Sequence, residues 1–277
     1  MFDFDEKTVD DIPVVILDTE TTGLHTALGH RVIEIGAIRL EKGRQVGEFQ
    51  TLLNPGRPIE QQASEITGIV DDDVANAPIF ADVVDELDRF LESSLLVAHN
   101  ATFDADFMGN EYNLIERSLE NPWVCTFKLA RQYFHFGRNN LANIAGRLNI
   151  PMTKAHRALN DVIVTTEVFR RMNRELVQKH KCKTVGDLLY AQGGAIYSPS
   201  RQNVILPPLL AEALATKQDI NIRYVSKVGT INSRRVTPRY ATQNGKTGYF
   251  IAYCHLRKQQ RTFRIDRIMG VEFASGS

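Results

Sequence analysis

Apolar and polar positions change period several times along the chain, and the changes mark out its elements. The run Val14-Val15-Ile16-Leu17 follows Pro13 and ends at Asp18-Thr19-Glu20. Four successive apolar residues after a proline predict a short central strand. Side chains alternate along a strand, so Asp18 and Glu20 project from one face at its C-terminal end and Thr19 from the other. Two carboxylates on one face call for a cation; the plain alternative is a polar turn with a solvated Glu20. Arg31 to Leu40 and Gly47 to Leu53 read as two further strands, completing an antiparallel meander. Helical spacing holds at Ile79, Phe80, Val83, Val84, Leu87, Phe90 and Leu91, ahead of a strand from Leu95 to Ala98. A helix starting at Asp104, the apolar run Trp123-Val124-Cys125, helices over Thr126 to Phe134 and Leu141 to Leu148, and a long helical pattern from about Ala158 to Lys179 follow. This succession predicts an α/β domain built on one mixed sheet flanked by helices.

The pattern breaks at Gly193-Gly194-Ala195-Ile196-Tyr197-Ser198-Pro199-Ser200, with Pro207-Pro208 just beyond. The break predicts a linker over 193–208 between a first domain, 1–192, and a second, 209–277. A short helix, Leu209 to Thr216, then leads into strand-like pieces at Ile220 to Val225, Arg235 to Thr237, Tyr249 to Cys254, Thr262 to Ile265 and Val271 to Phe273. Glycines punctuate them, as in a small β-barrel or sheet. Charge separates the same two parts. Residues 1–216 carry 21 Lys and Arg against 30 Asp and Glu, whereas 217–277 carry 12 against 3. Modules of opposite charge imply different partners.

A 43% hydrophobic fraction in 277 residues supports packed cores and excludes wholesale disorder. No apolar run reaches membrane-spanning length, and the start Met1-Phe2-Asp3-Phe4-Asp5-Glu6 is acidic, unlike a secretory signal. A soluble, cytoplasmic protein is expected. Cys125, Cys182 and Cys254 are odd in number, far apart and without CxxC spacing. They read as buried thiols, not as a disulfide framework or a zinc site.

Three separated segments carry the chemistry: Asp18-Thr19-Glu20, then His99-Asn100-Ala101-Thr102-Phe103-Asp104, then His156-Arg157-Ala158-Leu159-Asn160-Asp161. In this order they resemble the DEDDh-type 3'-5' exonucleases, the ribonuclease H-like group containing exonuclease X and the proofreading epsilon subunit of bacterial DNA polymerase III. The resemblance implies that Asp18, Glu20, Asp104 and Asp161 hold two divalent ions, Mg2+ or Mn2+, with Asp18 bridging both, and that His156 is the general base. Such a site suits phosphodiester hydrolysis, where one ion activates the attacking water and the other stabilises the leaving oxygen. An imidazole titrating near neutrality can take the water's proton. Five residues apart in one helix, His156 and Asp161 would diverge by about 140°. His156 is therefore expected on the loop before the helix, and Asp161 within its first turns. By the same resemblance, Thr21, Leu24, Ile66, Thr67, Asn100 and Phe103 surround the terminal nucleotide, Leu24 and Phe103 as apolar wedges that stack on a base without reading it. His99 reads as structural, and His25, His30, His135 and His180 as solvated.

The second domain resembles a WYL domain through Ile222-Arg223-Tyr224, Arg235-Val236-Thr237-Pro238, Tyr249 to Cys254 and Arg261-Thr262-Phe263-Arg264-Ile265-Asp266-Arg267-Ile268. The eponymous Trp-Tyr-Leu reads Gly248-Tyr249-Phe250 here. Cations interleaved with rings, among them Arg235, Tyr249, Arg261, Arg264 and Arg267, have the composition of a single-strand-binding surface. The alternative is that these cations dock onto the acidic first domain. The expected partner is nucleic acid, single-stranded DNA ahead of RNA, with no membrane. Two other readings are an exoribonuclease and a non-catalytic nucleic-acid-binding regulator with a ligand-sensing WYL domain.

Overall fold

The computed structural model describes residues 4–152, 157–199, 206–226, 229–244 and 247–274. The chain divides into two compact units, Met1–Gly23 with Arg31–Ser200, and Leu24–His30 with Arg201–Ser277.

In the first unit β1 (Val14–Thr21), β2 (Val32–Glu41) and β3 (Arg44–Leu52) form the antiparallel meander. Helices α1 (Gln61–Thr67), α2 (Asp71–Val74) and α3 (Phe80–Leu91) lead to β4 (Leu95–Ala98), which pairs parallel to β1. Then come α4 (Thr102–Leu114), β5 (Trp123–Cys125) parallel to β4, α5 (Thr126–Tyr133), α6 (Leu141–Arg147), α7 (Ala158–His180) and α8 (Val185–Ala191). The sheet order is β3-β2-β1-β4-β5. Helices α1 and α2 are not anticipated by the hydrophobic period, because QQASEIT and DDDV hold too few apolar positions to show one; α8 does carry Val185, Leu188 and Leu189 at helical spacing.

β1 is buried on both faces, the condition under which a strand reads as an unbroken apolar run. Val14 and Ile16 enter one core with Val97, Val162, Val168 and Phe169, while Val15 and Leu17 enter the other with Leu87, Phe107 and Tyr112. Burying each such side chain contributes roughly 1.5–3 kcal/mol. Past Leu17 the alternation continues, carrying Asp18 and Glu20 to the α7 side and Thr19 to the α4 side. Gly36, paired with Asp18, lets α7 approach β2: a Cβ there would lie 2.5 Å from Leu159 N and 2.6 Å from Ala158 C.

Part of the stretch read as a linker is bound to this unit. Trp123 N donates to Ile196 O at 2.9 Å, Trp123 Nε1 to Ser198 Oγ at 3.1 Å and Asn113 Nδ2 to Pro199 O at 2.9 Å. The first of these bonds lies on the open edge of β5, where Gln192 also accepts from Cys125 N and donates to Trp123 O. Composition marks Gly193 to Pro199 as irregular backbone but cannot show that a sheet edge needs it.

In the second unit α9 (Pro208–Thr216) packs on β6 (Ile220–Val225), β7 (Ile231–Asn244), β8 (Thr247–Cys254), β9 (Gln259–Arg264) and β10 (Ile268–Phe273). The strands form one antiparallel sheet in the order β10-β6-β7-β8-β9. Leu210 and Ala213 meet Ile220, Ile222, Val236, Phe250 and Phe263 in its core. All three cysteines are free and buried. Among the described residues no helix is long and apolar enough to cross a membrane.

Candidate active site

The C-terminal end of β1 brings acids together. One carboxylate oxygen from each of Asp18, Glu20 and Asp161 lies within 4.8 Å of the others. Asp161 occupies the first turn of α7, as expected, and its N–H donates to Arg157 O at 3.1 Å. Asp104 reaches the strand end from the opposite face, inside the first turn of α4, where Thr19 donates to its Oδ1 from both the backbone N–H (3.0 Å) and the hydroxyl (2.8 Å). Among the described residues neither Asp18 nor Glu20 forms an ion pair.

The electrostatics follow from this crowding. Desolvation and the charges of Asp104, Glu20 and Asp161 raise the Asp18 carboxyl well above the usual carboxylate range. Burial, then Asp161 and Glu34, pushes Glu20 up to about 8. Burial pushes Asp104 up to about 7, against the two bonds from Thr19. Converging carboxylates that resist ionising beside one another are a donor set suited to hard divalent cations.

Residues outside the expected set support this cluster. Glu34 on β2 is fully buried in cross-strand register with Glu20. Its carboxylate accepts from Arg157 Nη2 at 2.8 Å, from Arg157 Nε at 3.1 and 3.2 Å, and from Ala158 N at 3.1 Å. Burial raises the Glu34 pKa, but the bonds from Arg157, Ala158 and Gln50 outweigh it and hold the group below its ordinary value. A second fork joins Arg31 Nε and Nη2 to Glu111 on α4 at 2.7 and 2.6 Å. The signal for Glu34 was a lone acid in a strand covered on both faces, which requires a cationic partner.

His156 lies outside the described residues. Of the expected substrate contacts, Leu24 and Ile66 are 68% and 56% exposed. Asn100 is exposed in left-handed backbone (φ 66°) between β4 and α4, and half-buried Phe103 packs against Phe107 with ring centroids 4.7 Å apart. Thr21 and Thr67 are buried and turn their hydroxyls to Gly23 O and Ala63 O. Their side chains are thus engaged within the fold. His99 Nδ1 lies 2.9 Å from Thr126 Oγ1, and burial lowers its pKa to about 4, in keeping with a neutral structural residue. His25, His135 and His180 are exposed, but His30 is only 2% exposed, so the solvated reading fails there. One histidine in a polar segment carries no sequence mark of burial.

In the second unit Arg235 pairs with Asp219 at 3.0 Å, and Arg264 with Asp266 at 2.5 Å. Tyr249 is half-buried. Among the described residues Arg261 and Arg267 form no salt bridge, although the charge of Arg267 helps to lower the pKa of Asp266.

A mixed five-stranded sheet with carboxylates gathered at the end of its first strand defines the ribonuclease H-like class of acidic-site folds. Residues 15–169, more than half of the chain, match the family model described as exonuclease, and the chain belongs to that family. Residues 207–273 match the WYL domain. The chain is 39% identical over 172 residues to a DNA polymerase III subunit epsilon-like protein of Rhodobacter capsulatus, a match covering 60% of this chain and 24% of that one. It is 38% identical over 159 residues to the DNA polymerase III subunit epsilon of Treponema pallidum, covering 56% and 74%. The structure of exonuclease X in complex with 5' overhanging duplex DNA superposes with a TM-score of 0.52 at 26% identity, over 65% of this chain and 99% of that one. The chain thus spans about a quarter of its Rhodobacter relative's length.

Proposed function

We propose that the protein is a metal-dependent 3'-5' exonuclease that releases nucleoside 5'-monophosphates from nucleic acid, with single-stranded DNA as its preferred substrate. The observation that carries this reading is the convergence of Asp18, Glu20 and Asp161 at the end of β1, with Asp104 delivered from the other face. These four carboxylates would hold two divalent ions, Mg2+ or Mn2+, with Asp18 shared. Ions held by these residues would supply the positive charge that lets a nucleophile approach an anionic phosphate, and would lower the pKa of the attacking water. His156, five residues before Asp161, takes the proton. Exposed Ile66, with Asn100 and Phe103, contacts the terminal nucleotide through stacking and backbone approach, a mode that accepts any base. Thr21 and Thr67 act through their backbones.

The basic second unit holds the polyanion. Arg261 and Arg267 are the cations best placed to meet phosphate, while Arg235 and Arg264 are partly satisfied by Asp219 and Asp266. Tyr249, directly opposite Arg264 across β8 and β9, supplies a ring on the face that Arg264 shares.

The test is magnesium-dependent digestion of 3'-labelled and 5'-labelled single-stranded DNA and RNA by wild type and Asp18→Ala. Stepwise mononucleotide release from the 3' end by wild type, absent in the variant, is expected, with DNA the faster substrate. Faster RNA cleavage would make the protein an exoribonuclease. No metal-dependent cleavage of either would leave a nucleic-acid-binding regulator.

A further inference from the structure

The proposed metal site draws on three elements, β1, α4 and α7, and no covalent constraint holds α7 in register with β1. Asp161 must be held to within about half an ångström of its productive position beside Asp18 and Glu20, on a helix that begins three residues earlier. The first turn of α7 has no cap of its own, since Arg157 at the N-cap makes no side-chain capping bond. The Ala158 N–H finds its acceptor on another element, the Glu34 carboxylate of β2, at 3.1 Å. The same carboxylate takes the Arg157 guanidinium in a fork, and Arg157 O accepts the first helical bond from Asp161 N. Gly36, two residues along β2, lets the backbone of α7 come into contact beside them.

Energetics favours a positional role for this pair. Glu34 is wholly buried while Arg157 is 37% exposed, and burying an ion pair gains little net stability because desolvation offsets the attraction. Glu34 also faces Glu20 across the strands, where two like charges repel unless one is neutralised. The Arg157 fork supplies that neutralisation.

We propose that Glu34 is a positioning residue: through Arg157 and the Ala158 amide it fixes the start of α7 and so sets where Asp161 meets Asp18 and Glu20. The proposal rests on the reading of these acids as a metal site. Groups that orient metal ligands typically change affinity by about 10- to 100-fold when removed.

The test is calorimetric titration of the full chain with Mn2+, well below its unfolding temperature, for wild type, Glu34→Gln and Arg157→Lys. KM and kcat on single-stranded DNA are measured at saturating metal alongside. Mn2+ affinity is expected to fall about tenfold or more in Glu34→Gln and less in Arg157→Lys, with KM for DNA within about twofold of wild type. Mn2+ affinity at the wild-type value in both variants would overturn the proposal. Should Glu34→Gln not fold, the same result in Arg157→Lys alone overturns it, because that side chain is partly exposed and its replacement keeps the charge but not the fork. A wild type that binds no Mn2+ would instead remove the metal site itself, and the proposal with it; a wild type that binds Mn2+ without cleaving DNA overturns the nuclease reading alone.

Discussion

Thr19 gives both its backbone N–H and its hydroxyl to a single oxygen of Asp104, at 3.0 and 2.8 Å. Because Thr19 alternates with Asp18 and Glu20, the strand that presents two acids on one face anchors the third from the other. Replacing Thr19 with Val keeps the shape and the N–H but removes one donor to a buried carboxylate. The metal-free protein should lose about 1–2 kcal/mol of stability, measured by urea denaturation at pH 7.5, and the Asp104 carboxyl should titrate higher by NMR.

The raised carboxyls make the metal-free protein pH-sensitive. Glu20 and Asp104 move from ordinary values near 4 in the unfolded chain up to about 8 and about 7 in the fold, so the native state binds more protons between those limits. Their contribution to stability is complete below about pH 4 and is lost as pH rises through 7 and 8. With EDTA the melting temperature should fall from pH 5.5 to 8.5. Mg2+ should restore it, most strongly at the alkaline end. A melting temperature flat across that range in EDTA would remove the picture of uncompensated acids.

Asp18→Asn separates stability from chemistry. Asn puts a neutral group where burial and the charges of Asp104, Glu20 and Asp161 oppose ionisation of a carboxyl, so the melting temperature of the metal-free protein at pH 8 should rise. Cleavage at saturating Mg2+ should meanwhile fall by roughly three orders of magnitude, several kcal/mol of transition-state stabilisation. Calorimetry and a single-turnover assay read the two effects independently.

Gly36→Ala places a methyl group against the backbone of Ala158 and Leu159, which cannot rotate away. A loss of about 1–3 kcal/mol is expected from overpacking, together with weaker Mn2+ binding as α7 shifts. Chemical denaturation and Mn2+ titration check both.

In the second unit, Arg261→Glu with Arg267→Glu should weaken single-strand binding and flatten its dependence on salt, since each lost phosphate contact removes about 0.7 from the log–log slope. Arg264→Ala should change the slope less, because Asp266 already engages that guanidinium. Equal slopes for wild type and the double variant would point to docking in place of phosphate contact.

Much of the fold was legible along the chain because its period was strong. β4 and β5 fall where the runs Leu95 to Ala98 and Trp123 to Cys125 lie, and α7 starts at Ala158 as its spacing requires. Alternation alone put Asp18 and Glu20 on one face, and the three motifs in order gave the family its outline. Other features have no periodic signature. Helices α1 and α2 hold too few apolar positions to show one, and the segment Gly193 to Pro199 lies along a sheet edge that only the assembled sheet exposes.

What the sequence determined by itself was local and additive: which residues alternate, where helices begin, and that four acids and a histidine occur in a recognisable order. Tertiary structure decided which groups satisfy one another across 85 and 124 residues of chain, Thr19 with Asp104 and Glu34 with Ala158. Glu34 is a single charge in an apolar strand until α7 lands on β2, when it becomes the cap of the helix that carries Asp161. The reason is physical. A buried polar group must find a partner, and which partner lies within reach is set by how the elements pack.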